Sequence, residues 1–243
     1  KILGLLFLFV ICGASFLMCQ CPAGFTPQGW TPSKAQVTIP AEKSWRQMLG
    51  SANFYIMIVM LTCGAVAGLM AISQASPIAQ NMMGLSAGLA SIVVSVLALF
   101  NVTGRVIAGY ISDKIGRINA LTCAFLLSFL GLILLMLANS QHVVLFYIGI
   151  AAVGLCFGAL MGIFPGFTAD QFGAKNNTVN YGIMFIGFAV AGLIGPVIMS
   201  ALYAATHIYS CAFLFAAALS LLGLALTMIW RKMRSECVKS HCS

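Results

Sequence analysis

The sequence predicts an all-α membrane protein, and both its composition and its long apolar runs support this class. Of its 243 residues, 61% are hydrophobic and 7% are charged. A soluble domain carries about 25% charged residues, so this chain lacks the polar surface that would keep it in water. A helix of about 20 apolar residues crosses the hydrocarbon core of a bilayer, and runs of about this length follow one another along the chain.

The apolar runs predict about seven membrane-spanning helices, because backbone N–H and C=O groups in lipid must be paired within a regular structure. The first run is slightly short, and a proline-containing connection, residues 20–52, separates it from a block of six. The predicted spans are residues 2–18, 54–72, 85–109, 119–138, 143–168, 181–205 and 208–230. The chain has no initiator Met, so we expect it to begin within a larger protein.

The net charge of +8 comes from 12 Lys and Arg against 4 Asp and Glu. A nucleic-acid partner would need basic residues on one face, whereas here they lie at intervals between apolar runs, so the predicted partner is the lipid bilayer. Connections 20–52, 110–118 and 169–180 and the tail contain Lys or Arg, but connections 73–84, 139–142 and 206–207 contain neither. Basic loops stay cytoplasmic, which predicts a plasma-membrane protein with its amino end outside and its tail inside.

The nine cysteines do not predict a metal site. Five lie inside apolar runs, where Cys acts as a small hydrophobe; these are Cys12, Cys63, Cys123, Cys156 and Cys211. Neither of the remaining pairs, Cys19 with Cys21 and Cys237 with Cys242, has zinc-ligand spacing with a His partner. The spans also contain no paired Asp and no His-Glu cluster. We therefore predict no metal, no cofactor and no catalytic residue, and a protein that is not an enzyme.

Arg105 is the one ionisable residue placed deep within an apolar run. Such an Arg costs about 2.5–3.5 kcal/mol on insertion scales and tends to have a function. Asn101 lies one helical turn before it, on a stripe of small and polar residues, and a guanidinium suits a carboxylate through two parallel hydrogen bonds. Two other interpretations remain: the stripe is a helix-packing surface, or Arg105 extends its side chain to the membrane surface, about 12 Å away.

Five residues between the third and fourth predicted spans, Gly109, Asp113, Lys114, Gly116 and Arg117, form the pattern G-x-x-x-D-[RK]-x-G-R. This pattern resembles a cytoplasmic loop motif of the major facilitator superfamily. Asp113 suits a helix end and a pair with Arg117, and the glycines permit a tight turn. The resemblance implies that these residues act in conformational change and do not bind substrate.

Three further stretches, around Pro22–Trp30, Asp170–Asn176 and Asn180–Gly182, are similar to the oxalate/formate antiporter family within that superfamily. The resemblance implies a major facilitator half-bundle of six helices plus one preceding helix. Residues 1–19 would be the last helix of a missing amino-terminal half of the same transporter, and residues 20–52 the central cytoplasmic loop. Residues 53–231 would be the carboxyl-terminal bundle, and residues 232–243 the cytoplasmic tail.

The same resemblance implies a substrate site at Arg105, since the family carries a substrate-binding Arg eight residues before the loop Asp. Oxalate-transporting members also carry a Lys on the eleventh helix, but the nearest position here is Phe188. One positive charge matches a monocarboxylate such as lactate, pyruvate or formate. Asn101 and the aromatic residues Phe157, Phe185 and Phe188 are further candidates for substrate contact, although an apolar core would contain the same aromatic residues.

These features predict a secondary active transporter of small organic anions that works by alternating access. An oxalate/formate-type exchanger is the alternative within the family. A seven-helix receptor shares the predicted topology, but it leaves the 109–117 motif unexplained. A retinal protein would need a Lys within a span, and the predicted spans contain none.

Overall fold

The computed structural model describes residues 2–18 and 42–241, and within these residues the chain forms ten helices and no strand. In chain order the helices are α1 (Ile2–Leu17), α2 (Trp45–Leu49), α3 (Ala52–Ser73), α4 (Ala75–Asn81), α5 (Ala87–Ile115), α6 (Arg117–Leu137), α7 (Val143–Phe172), α8 (Asn177–Met184), α9 (Ile186–Thr206) and α10 (Ser210–His241). Helix α1 belongs to a compact unit of its own, Lys1–Thr38, and the other helices belong to a second unit, Ile39–Ser243.

Six segments of the described chain are long and apolar enough to cross a membrane. They are α3, α5, α6, α7, the α8–α9 pair over Asn177–Thr206, and α10 over Ser210–Arg234. These spans confirm the predicted all-α bundle of six membrane helices. Helix α1 is also apolar but shorter, over Gly4–Leu17, as its sequence predicted.

The domain boundaries proposed from the sequence stay predictions. Residues 19–41, most of the predicted central loop, lie outside the described residues. The last part of that predicted loop contains the short helix α2, and α10 continues past residue 231 to His241 without a break.

Two clusters of buried apolar side chains hold the second unit together. One, which includes Met70, Phe146 and Phe213, lies near α4, at the end of the bundle that we call the α4 end. The other includes Phe125 and Phe164 and lies near α2, at the opposite end, which we call the α2 end. The α5–α6 and α7–α8 turns and the end of α10 are also at the α2 end, because successive spans run in opposite directions.

Helices α5 and α7 meet along a row of glycines that we call the glycine seam: Gly104 on α5 and Gly154, Gly158 and Gly162 on α7. A Cβ at Gly154 would lie 2.8 Å from the carbonyl oxygen of Leu97, and one at Gly104 would lie 3.0 Å from the Cα of Leu155. Small residues let helix backbones approach closely in membranes. The sequence analysis missed this seam, although three of its glycines recur every four residues along α7.

A second row of small residues, Gly187, Ala191 and Gly195 on α9, packs against α3. All three are buried, and a Cβ at Gly187 would lie 2.6 Å from the hydroxyl oxygen of Thr62. Pro196 follows within α9, and the helix continues through it to Thr206. This row is therefore a helix-packing surface between α3 and α9.

The structure corrects the predicted connection 110–118. Helix α5 does not end near Gly109 but continues to Ile115, and Gly116 is the only residue between α5 and α6. Gly116 has a φ of 88°, a conformation that glycine adopts without strain and that other residues rarely adopt. Polar residues such as Asp113 and Lys114 ended the apolar run, but they do not prevent a helix from extending beyond the hydrocarbon core.

One further predicted segment differs in the structure. The connection 73–84 was expected to be a loop, but it contains the two-turn helix α4. The predicted span 181–205 lies within one membrane-spanning segment, Asn177–Thr206. Phe185, the residue between α8 and α9, keeps helical backbone angles, and its N–H donates to the carbonyl of Tyr181.

Candidate substrate site

Arg105 lies on α5 where the helix backbone touches α7. A Cβ at Gly162 would lie 3.2 Å from the Cα of Arg105, so the glycine seam fixes the base of this side chain. The guanidinium itself is exposed, and its Nε donates a hydrogen bond to Oδ1 of Asn101 at 3.3 Å. A guanidinium carries five N–H donors. Arg105 has no acidic partner among residues 2–18 and 42–241, so the remaining donors are open to an anion.

Asn101 is half-buried one turn before Arg105, as the predicted stripe requires. Its backbone is also part of the glycine seam, since a Cβ at Gly158 would lie 2.8 Å from the carbonyl carbon of Asn101. The amide oxygen orients the Arg105 side chain along α5. The prediction that both residues bind substrate stays a prediction.

An aromatic row lies where α8 meets α9. The rings of Phe185 and Phe188 stack at 4.6 Å with an angle of 16° between their planes. Tyr181 extends the row on one side at 5.6 Å from Phe185, and Phe157 of α7 extends it on the other at 6.0 Å from Phe188. The structure thus brings together the three phenylalanines that the sequence analysis selected.

Tyr181 lies at one end of the aromatic row. Its side chain is half-buried, and the Arg105 guanidinium exerts an electrostatic effect on its phenol. The sequence analysis did not select Tyr181 as a site residue, although it noted the stretch Asn180–Gly182. A tyrosine at the beginning of an apolar run was the signal that could have identified it.

Phe157 differs from its neighbours in its burial. It is 5% exposed, and its ring packs against Gly68 of α3. The cavity beside it, lined also by Gly64 and Phe125, has a volume of about 10 Å³, which is at the lower limit for one water molecule. Phe157 therefore packs in the interior of the bundle, where its ring contacts Phe188. Its predicted contact with substrate stays a prediction.

The 109–117 motif forms an ionic network at the α2 end. Arg117 Nη1 lies 2.6 Å from Oδ1 of Asp113 and donates to the hydroxyl of Ser112 at 2.5 Å. Arg117 Nε donates to Oδ2 of Asp170, at the end of α7, at 3.1 Å. The Arg117 side chain is 21% exposed while those of Asp113 and Asp170 are 61% and 52% exposed. Arg117 is thus the centre of a network that joins α5, α6 and α7.

The other motif residues have separate roles in this region. Lys114 lies over the ring of Tyr110, with its Nζ 4.4 Å from the ring centroid, a distance at which a cation and an aromatic ring attract each other. A Cβ at Gly109 would lie 3.9 Å from the carbonyl oxygen of Gly162, in ordinary contact with α7. Asp170 was not selected from the sequence, because its pairing with Arg117 depends on how α6 and α7 pack.

The residues before α2 are hydrogen-bonded to residues in and around the α7–α8 turn. The backbone N–H of Lys43 donates to the carbonyl of Phe172 at 2.9 Å, and the backbone N–H of Lys175 donates to Oε2 of Glu42 at 3.1 Å. The side-chain amide of Asn180 donates to the carbonyl of Lys43 at 3.1 Å. These three hydrogen bonds hold Glu42 and Lys43 against the α7–α8 turn and the beginning of α8.

The described part of the second unit thus contains six membrane-spanning segments, with one arginine deep within them. The family profile of the Major Facilitator Superfamily matches residues 2–179 and 91–238, and the chain belongs to this family. The prediction from the 109–117 motif is thereby confirmed. Proteins of this family are transporters and not enzymes, as the sequence analysis expected.

Three relatives give a closer comparison. The chain is 32% identical over 141 residues to the uncharacterized MFS-type transporter YhjX of Escherichia coli K12, covering 58% of this chain and 35% of the relative. It is 28% identical over 180 residues to the oxalate:formate antiporter of Oxalobacter formigenes, with 74% and 43% covered. It is 28% identical over 135 residues to the probable nitrate transporter NarT of Staphylococcus epidermidis, with 56% and 34% covered. The chain spans less than half the length of each relative.

Proposed function

We propose that the full-length transporter containing this chain carries small monocarboxylates, such as lactate, pyruvate or formate, by alternating access, and that Arg105 binds the carboxylate. The observation that supports this most is the open guanidinium of Arg105, which Asn101 holds along α5. The missing amino-terminal half would complete the site, since the chain spans less than half of its relatives.

The charge of the site favours a monovalent substrate. Arg105 is the only Lys, Arg, Asp or Glu deep within the described spans, so the second unit offers one positive charge to a ligand. A planar guanidinium pairs with one carboxylate through two parallel hydrogen bonds. A second carboxylate in the same site would be desolvated without a partner from this half, which is costly.

The aromatic row suits the rest of such a substrate. Phe185 and Phe188 present half-buried rings that can cover the methyl group of lactate or pyruvate and exclude water. The Tyr181 hydroxyl can donate a hydrogen bond to a carboxylate oxygen or to the hydroxyl or keto group next to it. Electrostatic interactions strengthen when water is excluded from a site.

The exposure of the spans supports a site at the interface between two halves. In an apolar stretch of 18 residues within each span, 22% of the residues of α5 and 28% of those of the α8–α9 pair are buried, whereas 61% of those of α3 are. The least buried spans carry Arg105 and, apart from Phe157 of α7, the aromatic row. We propose that these two spans face the amino-terminal half and that the substrate binds between the halves, as in transporters built from repeated bundles.

We also propose an orientation, with the α2 end of the bundle in the cytoplasm. Lys114 and Arg117, on either side of the α5–α6 turn, and Lys175, in the α7–α8 turn, lie at this end. The positive-inside rule assigns such basic ends to the cytoplasm. In this orientation the Arg117 network would be a cytoplasmic latch that opens and closes during the transport cycle.

An oxalate/formate exchange remains the second candidate, because the oxalate:formate antiporter matches 74% of this chain. The amino-terminal half would then have to supply a second positive charge for oxalate. Nitrate is a planar monoanion that also suits one guanidinium, and one relative is a probable nitrate transporter. Both anions therefore belong in the test.

The test is competition uptake by the full-length transporter, with lactate, pyruvate, formate, oxalate and nitrate as competitors. Arg105→Ala is expected to abolish saturable uptake without loss of membrane insertion. Arg105→Lys is also expected to lack saturable uptake, because an ammonium group does not have the planar arrangement of N–H donors that pairs with a carboxylate. Arg46→Ala is the matched control, since Arg46 is exposed and lies over the ring of Trp45. Unchanged affinity of Arg105→Ala for every anion would refute the proposal.

A further inference from the structure

Lys43 is hydrogen-bonded through both of its backbone polar groups to residues much later in the chain. Its N–H donates to the carbonyl of Phe172, the last residue of α7, at 2.9 Å. Its carbonyl accepts from the side-chain amides of Asn176 at 3.3 Å and of Asn180 at 3.1 Å. Asn176 immediately precedes α8, and Asn180 lies within it. The Lys43 backbone therefore joins the end of α7 to the beginning of α8, an arrangement that we call the Lys43 bridge.

Glu42 fits closely beside this bridge. Its Oε2 accepts from the backbone N–H of Lys175 at 3.1 Å. A Cβ at Gly173 would lie 3.0 Å from the Cα of Glu42, and Gly173 has a φ of 93°. Both the close approach and the positive φ favour glycine at this position. Glu42 thus holds the α7–α8 turn, while Lys43 holds the helix ends on either side of it.

Asn180 is the fully buried member of the bridge, with a side chain that is 0% exposed. Its Oδ1 has no hydrogen-bond partner among the described residues, so within them the bond to Lys43 is the one hydrogen bond of this side chain. A buried amide without a hydrogen bond is costly. The bond therefore favours one position of α8 relative to Lys43.

The helix that the bridge holds carries part of the proposed substrate site. Tyr181 follows Asn180 directly, and Phe185 lies one turn after Tyr181, where its ring stacks on that of Phe188 at 4.6 Å. We propose that Asn180 is a positioning residue: through the Lys43 bridge it sets where α8 begins, and hence where Tyr181 and Phe185 lie. This inference rests on the proposed function, because that function assigns both aromatic residues to the substrate.

The first measurement uses the full-length transporter in detergent and needs no substrate. Hydrogen exchange is followed by mass spectrometry in peptides that contain Lys43 and Lys175, whose amides are bonded across the bridge. Asn180→Leu keeps the branched shape of the side chain and removes its donor. It is expected to speed exchange at both amides about five-fold, the factor that corresponds to the loss of one hydrogen bond. Asn176 still donates to the Lys43 carbonyl, so the Tm is expected to stay close to that of the wild type.

The second measurement is uptake by the same variants in proteoliposomes. The probe is radiolabelled pyruvate, or another of the anions named above if the wild type takes it up better. A displaced α8 is expected to raise the apparent KM of Asn180→Leu by up to the same factor, while Vmax changes less.

Glu42→Ala tests the bridge from an exposed position, where substitution does not threaten folding. It removes the acceptor for the Lys175 N–H and is expected to change exchange and KM in the same direction as Asn180→Leu. Glu42→Gln keeps a side-chain oxygen that can accept this bond, so it is expected to behave as the wild type does.

Lys43→Ala is the matched control. It keeps the backbone N–H and carbonyl that form the bridge, and it removes a side chain whose Nζ lies 5.9 Å from the centroid of the Phe172 ring. Because the bridge is made by the backbone, this variant is expected to match the wild type in both measurements. A loss as large as that of Asn180→Leu would assign the effect to the ammonium group and overturn the proposal.

Two further results would overturn it. Unchanged exchange and unchanged KM in both Asn180→Leu and Glu42→Ala would mean that the bridge does not hold α8. Faster exchange with an unchanged KM would mean that the bridge stabilises the fold without positioning the substrate residues. If the wild type takes up none of the anions, the proposed function fails and the positioning role fails with it, while the exchange measurement still decides whether Asn180 holds α8.

Discussion

Gly158→Ala is the sharpest test of how the glycine seam positions the candidate substrate site. An added Cβ would lie 2.8 Å from the carbonyl carbon of Asn101 and 3.1 Å from the backbone nitrogen of Arg105. Non-bonded carbon atoms prefer separations of about 3.5–4.0 Å. Helices α5 and α7 would therefore have to separate by about 1 Å, because backbone atoms cannot rotate out of the way as a side chain does.

Such a displacement would affect both stability and transport. Overpacking costs about 1–3 kcal/mol, so we expect a lower Tm for the purified full-length protein. A misplacement of about 1 Å can lower a reaction rate about 100-fold. We expect the apparent affinity for the transported anion to fall by up to about this factor. Both quantities are measured on one preparation, by thermal unfolding and by radiolabelled uptake in proteoliposomes.

Gly192→Ala is the matched control, because Gly192 is exposed in α9 and an added Cβ there meets nothing within 4 Å. In a helix Ala is more favourable than Gly by up to about 1 kcal/mol, so this variant should be as stable as the wild type or slightly more stable. If Gly158→Ala behaves like Gly192→Ala in both assays, the seam does not position Arg105 and the reasoning fails.

Four further predictions address the proposed mechanism. Asp113→Asn should lower the rate of turnover more than the affinity for substrate, and a loss of affinity at an unchanged rate would contradict its role in the latch. Tyr181→Phe should weaken substrate binding several-fold in uptake assays without lowering the Tm, since only a hydroxyl is removed; unchanged binding would exclude it from the site. Phe188→Lys should shift competition toward oxalate if this position faces the substrate. Impermeant thiol reagents should label an introduced cysteine at Gln80 but not one at Lys114, and labelling of the latter from outside would reverse the proposed orientation.

The positions of the membrane helices could be predicted from the sequence because hydropathy depends only on local composition. For example, the predicted span 54–72 corresponds to α3, which extends over Ala52–Ser73. The end of α5 was predicted less well, since Asp113 and Lys114 lower hydropathy while remaining helical. The conformation of Gly116 ends that helix, and hydropathy carries no information about φ angles.

The candidate site was predicted only in part, for a related reason. Arg105 and Asn101 are one turn apart on one helix, so their contact follows from helical periodicity alone. The contacts of Arg117 with Asp170 and of Phe157 with Phe188 join segments that are far apart in the chain. Such contacts depend on how helices pack, and a single sequence does not contain that information.

The backbone contact between α5 and α7 also restricts how this half can move. The two helices cannot slide along each other without bringing larger residues of α7 against α5 carbonyl groups. At present Gly154, Gly158 and Gly162 face the carbonyl groups of Leu97, Asn101 and Arg105. We therefore expect α5 and α7 to move as one rigid unit. Arg105 lies partway along this unit, and the Arg117 network lies at one end of it. We expect a change in the Arg117 network to rotate α5 and α7 together and so to displace Arg105.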